Sequence, residues 1–130
     1  MQKLAPLLST GAVVVLTTSI ANVMGIPTTS VYAASKAALR SLARTLAGDL
    51  LPHGIRVNAI SPGPIDTGIL EKSGMTEEAA EEFKAQRAAN NPMKRFGTSE
   101  EIATAAAFLA FDATYTTGVE LAVDGGATQL

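Results

Sequence analysis

The sequence has no cysteine and no tryptophan. Disulfide bridges and thiolate metal sites are therefore excluded. Its one histidine, His53, leaves zinc without its usual ligand set, so no metal site is expected. An excess of charge of one sign is also missing. Ten Lys and Arg face twelve Asp and Glu, for a formal net charge of -2, and the cations are scattered. A nucleic-acid surface needs a concentrated basic face, so no such partner is expected. The longest apolar run, Ala12 to Leu16, falls far short of the roughly 20 residues that span a bilayer. The opening MQKLAPLLSTG lacks the long apolar region of a secretory signal. These absences point to a soluble, cytoplasmic protein without a membrane partner.

What is present supports a packed core. The chain has 130 residues, 47% hydrophobic and 17% charged, which suits one domain over 1–130 and excludes disorder. Repeats and low-complexity stretches are absent. Residues 2–8 read as the last turns of a helix, although Pro6 opposes that. AVVVLTT (12–18) is a β-branched run expected as a strand buried on both faces. Gly25 and Pro27 break 19–30 into a loop. Residues 31–51 read as a long helix, with Ala38, Leu39, Leu42, Leu46 and Leu50 at helical spacing. Pro52 and Gly54 close it. IRVNAIS (55–61) is a second strand, and PGPIDTG (62–68) a loop. Residues 76–90 form an acidic helix capped by Thr76. A helix follows Thr98, with Glu101 at capping-box spacing. VELAVD (119–124) is the third strand.

Helical crossovers of these lengths require parallel neighbours. The expected fold is therefore α/β: a parallel, Rossmann-like sheet of about three strands with flanking helices. Nothing ahead of VVVL covers one edge of that strand. An uncovered apolar edge demands a partner segment or self-association.

Within VYAASKAAL (31–39), Tyr32 and Lys36 are four residues apart. On a helix they project side by side. A phenol ordinarily titrates near ~10, and a neighbouring cation favours its phenolate. Bringing it to ~7 takes about 4 kcal/mol, at roughly 1.36 kcal/mol per unit. One charge in a partly buried site can supply much of that. Such a phenol suits general acid–base work at neutral pH. The spacing alone is weak, because Tyr and Lys also pair on solvated helix faces. Ser19 adds to it: it lies just past the end of the first strand, where parallel sheets bind ligands.

Ser19, Tyr32-Ala33-Ala34-Ser35-Lys36, Arg56-Val57-Asn58-Ala59-Ile60-Ser61-Pro62-Gly63, Thr67 and Val123-Asp124-Gly125-Gly126 together resemble the short-chain dehydrogenase/reductase family, in order and spacing, over essentially the whole chain. The resemblance implies that Tyr32 exchanges a proton with a carbonyl or alcohol. It implies that Ser19 hydrogen-bonds that oxygen, and that Lys36 lowers the tyrosine pKa and binds the nicotinamide ribose. Pro62, Gly63, Ile65 and Thr67 would touch the nicotinamide end of NAD or NADP. Residues 68–95 would be a substrate lid, and the helix at 31–51 would pair with its copy in a homo-oligomer. The family's T-G-x-x-x-G-x-G loop, which holds the pyrophosphate, has no counterpart here. Its N-N-A-G stretch has none either. The chain thus resembles a carboxyl-terminal, catalytic half, truncated before the glycine-rich part, and should bind dinucleotide poorly or not at all on its own.

Two alternatives stay open. Ser19 beside an activated phenolate is also a nucleophile–base pair, so a cofactor-independent esterase is conceivable, with Tyr32 and Lys36 as base and N–H groups near 19–21 as oxyanion donors. No G-x-S-x-G surrounds Ser19. The chain could also be a non-catalytic fragment. Elsewhere the residues read as structural: His53 in a solvated loop, Asn58 bonded to backbone, Asp124 ordering the last turn, Ser35 packing, and Glu77, Glu78, Glu81 and Glu82 on a solvated face.

Overall fold

A computed structural model describes residues 3–70 and 74–130. Among the described residues, 3–8 form no α-helix but one 3-10 turn, Ala5–Leu7, with Pro6 in it; Gln2 of the expected helix lies outside the described residues. Strand β1, Val13–Thr17, follows a left-handed Gly11. Helix α1, Ser30–Leu50, carries many alanines and ends in the turn Leu51–His53, where Pro52 and a left-handed Gly54 stop it. Strand β2, Arg56–Pro62, leads to a two-residue strand β3, Ile65–Asp66. Helix α2, Glu77–Asn90, begins at Thr76, whose hydroxyl accepts from the Ala79 N–H. Strand β4, Gly97–Thr98, runs into helix α3, Ser99–Ala107, through the full Thr98–Glu101 capping box. A π-helical turn, Phe108–Asp112, and strand β5, Glu120–Val123, complete the chain.

The main sheet has the order β1-β2-β5, all parallel. Val15 pairs with Asn58 and Ala59 with Glu120. A separate two-strand sheet joins β3 to β4; β3 falls inside the 62–68 segment expected as a loop, and β4 includes the helix cap Thr98.

Side chains of β1 alternate between two layers. Val14 and Leu16 pack with Ala43, Ala47, Leu50, Ile55, Val57 and Ala59 under α1. Val15 packs on the other side with Ile60, Leu109 and Ala113 beneath α3. The alanines of α1 let the helix approach the sheet closely, as the near-complete burial of Ala43 shows. Strand β1 is covered on both faces but only half-buried, because it stands at the sheet edge. No described strand pairs with its outer side.

Arg56 ties the second layer together. Its guanidinium donates to the carbonyls of Leu109 (3.0 Å), Ala113 (2.8 Å), Thr116 (3.3 Å) and Ala110 (3.1 Å). These carbonyls belong to the π-turn and to the loop that follows it. Asn58 is fully buried and bonds backbone at both ends of its amide, to the Thr116 carbonyl and the Val119 N–H.

Candidate active site

Strands β1 and β2 are parallel, so their carboxyl ends lie at the same edge of the sheet. Beyond β1 the chain turns at Ser19, the cap of a 3-10 turn over Ile20–Asn22. The Ser19 Oγ accepts from the Ala21 N–H at 3.3 Å. A hydroxyl that accepts there keeps its own hydrogen available. The first turn of α1 supplies Tyr32, half exposed, and the second supplies Lys36. The Lys36 ammonium donates to the Thr17 carbonyl at 3.1 Å and lies 5.6 Å from the centre of the Tyr32 ring.

The third contribution comes from the corner after β2. Gly63 is required there: a Cβ would stand 2.6 Å from the Asp124 Cα. Its N–H donates to the Val123 carbonyl at 3.0 Å, which fastens the corner to the end of β5. Asp124 in turn accepts from the Gly126 N–H, the Thr128 N–H and the Thr128 hydroxyl. Burial works to raise its carboxyl pKa, but these donors outweigh burial and hold it below the ordinary value. Asp124 therefore orders the last turn behind the corner.

Ser19, Tyr32, Lys36, Pro62, Gly63, Ile65 and Thr67 all line a single cleft of about 360 Å³. Every residue singled out from the sequence as catalytic or cofactor-contacting is among them. The cleft also takes Thr17, Thr18, Ser99 and Ile102. The sequence carries a signal for Ser99 only as the residue after a helix cap, and none for Ile102. A second cleft of about 230 Å³ adjoins the first and shares Gly63, Ile65 and Thr67 with it. Its wall is apolar, with Ile20, Ile69, Leu70, Phe83 and Phe96, and Lys84 and Arg87 of α2 complete it. Of this lining, Ile69, Leu70, Phe83, Lys84 and Arg87 fall within the expected lid, 68–95, whose residues 71–73 lie outside the described residues.

Chemically, the first cleft gathers a phenol, an ammonium and hydroxyls against an apolar wall. Such groups can donate, accept and stabilise a proton at an oxygen. Among the described residues no three side chains of the metal-ligating types come together, and no helix is long and apolar enough to cross a membrane. Ser35 differs from its reading as packing: it is exposed, and its hydroxyl donates to the Tyr32 carbonyl at 2.7 Å.

Comparison with known proteins places the chain. A family model described as enoyl-(acyl carrier protein) reductase matches residues 1–128. An oxidoreductase from Sarocladium schorii is 45% identical over 121 residues, covering 92% of this chain and 47% of its own length. The crystal structure of a short chain dehydrogenase family protein from Francisella tularensis superposes with a TM-score of 0.86 at 28% identity, over 99% of this chain and 56% of its own. A small-chain dehydrogenase solved in complex with NADPH gives 0.85 at 33% identity, over 95% of this chain and 54% of its own. The chain belongs to the short-chain dehydrogenase/reductase family. It spans about half the length of these relatives.

Proposed function

We propose that the cleft is the catalytic site of an NAD(P)-dependent oxidoreductase acting on a small carbonyl or alcohol. The observation that carries this reading is the meeting of three separate segments in one cleft: the turn after β1, the start of α1 and the corner after β2. In the reducing direction, the substrate oxygen takes the phenolic proton of Tyr32. The Ser19 hydroxyl, oriented by the Ala21 N–H, donates its free hydrogen to that same oxygen. The Lys36 ammonium, anchored on the Thr17 carbonyl, stands beside the ring, 5.6 Å from its centre.

The residues present fit the nicotinamide end of a dinucleotide. Lys36 and Thr67 offer donors to a ribose, and Ile65 with Ile102 offers an apolar wall to a flat ring. Nicotinamide supplies or takes up the hydride in such chemistry. The NADPH complex of a structural relative supports this assignment. The adjoining apolar cleft suits the body of the substrate. The activity of the whole protein, its place in the cytoplasm and its assembly as a homo-oligomer belong to the same proposal. The exposed Val31 and Leu42 on α1 favour the last of these.

The esterase alternative gains nothing from the geometry. Of the N–H groups near 19–21, that of Ala21 is already engaged by the Ser19 hydroxyl, and no G-x-S-x-G turn aims the others at an oxyanion, so the oxidoreductase reading is preferred.

The test is a screen of the purified protein on ketones with NADPH and NADH, and on short-chain esters without cofactor, beside Tyr32→Phe. Cofactor-dependent reduction lost in Tyr32→Phe supports the reading. Ester turnover without cofactor, abolished by Ser19→Ala, overturns it.

A further inference from the structure

Glu120 opens β5, and its side chain lies on the α1 side of the sheet, where it is nearly buried. A buried carboxylate is costly unless it is paired and hydrogen-bonded. Glu120 has three partners, and they come from both sides of the Ser19 turn and from the helix. The Thr18 hydroxyl, whose one hydrogen is shared between the Ile60 carbonyl at 2.8 Å and Oε1 at 2.5 Å, the Asn22 amide, which donates to Oε1 at 2.7 Å, and the Arg40 Nε, which pairs with Oε2 at 2.9 Å, are these partners. Thr18 and Asn22 bracket Ser19, Ile20 and Ala21. Arg40 follows Lys36 by four residues, as Lys36 follows Tyr32. All three therefore lie along one stripe of α1.

We propose that Glu120 is a positioning residue that fixes the Ser19 turn against the Tyr32–Lys36 helix. One oxygen of the carboxylate holds both ends of the turn, and the other holds the helix. The carboxylate, two strands away, thereby adds to the Lys36–Thr17 contact a second tie between turn and helix, the one that reaches both ends of the turn. A purely stabilising role accounts poorly for this network. A buried ion pair adds little stability over an apolar filling of the same volume, and its best-attested use is to fix register. The network also leaves Asn22 Oδ1 and an Arg40 guanidinium nitrogen, Nη1, buried with no hydrogen-bond partner among the described residues. Such a cost is tolerated where geometry serves a site. The inference rests on the oxidoreductase reading for its catalytic consequence, but not for its structural one.

The experiment has two arms, run on Glu120→Gln, which keeps size but removes the charge and replaces one acceptor oxygen with an NH2 that cannot accept from the turn or from Arg40, and on Arg40→Met. The first arm is amide hydrogen exchange. Exchange across residues 19–22 should rise at least about tenfold while β2 and α3 stay protected. Unchanged exchange in both variants overturns the proposal. The second arm is steady-state kinetics of ketone reduction, with Tyr32→Phe as control. A misplaced hydroxyl should cost about 10- to 100-fold in kcat with KM changed less than about threefold, and Arg40→Lys should restore part of the loss seen in Arg40→Met. If Tyr32→Phe is inactive while Glu120→Gln retains full kcat, the positioning role is wrong. If the unmodified protein reduces nothing, the oxidoreductase reading fails by itself, and the exchange arm still decides whether Glu120 holds the turn.

Discussion

The Lys36 ammonium sits 3.1 Å from the carbonyl oxygen of Thr17, the last residue of β1. This contact joins the helix that carries Tyr32 to the strand that ends at the Ser19 turn. It also holds the cation 5.6 Å from the phenol ring, where charge and ring interact directly.

Loss of that ammonium should be felt in catalysis before stability. Lys36→Met removes one partly exposed side chain and one hydrogen bond, so melting should change little. Turnover of a ketone with NADPH should fall about 10²- to 10⁴-fold, the usual range for a general acid–base group. Parallel kinetics and thermal melts check this. A variant with undiminished kcat would remove Lys36 from the proton-handling group.

Gly63 should tolerate no side chain. The Cβ of Gly63→Ala would press on backbone, with the Asp124 Cα at 2.6 Å and its carbonyl oxygen at 3.0 Å. Overpacking of this kind costs about 1–3 kcal/mol. Because the corner also lines the cleft, the variant should lose cofactor affinity together with stability. Urea denaturation and NADPH titration measure the two effects separately.

Arg56 should matter to stability alone. Arg56→Met strips charged donors from four carbonyls at the π-turn and the loop after it. Hydrogen bonds to charged groups contribute about 1.5–3 kcal/mol each, partly offset here by water reaching the freed carbonyls. A destabilisation of about 2–4 kcal/mol is expected by chemical denaturation. An unaltered midpoint would mean that the guanidinium is replaceable.

The Arg95–Glu101 pair should leave a mark on acid stability. The Glu101 carboxylate accepts from Arg95 at 2.6 and 2.9 Å and from the Thr98 N–H at 2.8 Å. The Arg95 hydrogen bond, then the Thr98 N–H, lowers its pKa from 4.5 to about 2. A carboxyl with a depressed folded pKa contributes stability that is fully present above its unfolded value and is lost as pH falls. The contribution should therefore fade between pH 4.5 and about 2. Thermal melts across that window should show a shallower acid slope in Glu101→Gln. The pair is solvent-exposed, so added salt should shrink the difference.

Much of this was legible in the amino-acid order. The β-branched run at β1, the helical run of α1 and the caps at Thr76 and Thr98 are local signals, read within a few residues of where they act, although α1 buries Ala43 and Ala47 and leaves Ala38 and Leu42 of the expected stripe exposed. The parallel sheet followed from crossover length. Strands β3 and β4 escaped because each is two residues long and their pairing spans Ile65 to Gly97. No periodicity exists in two residues. The π-turn at Phe108–Asp112 escaped because its backbone pattern has no composition of its own.

The sequence by itself determined which residues could do chemistry and which segments would be helix or strand. Hydrophobic period, capping and turn residues act over a few positions, and that is where their information ends. Only the tertiary structure decided that Ser19, Tyr32 and Thr67 share one cleft, and that Arg56, Asn58 and Glu120 serve partners more than fifty residues away. Those meetings depend on strand register and on the seating of α1 over the sheet, which are set by packing across the whole chain.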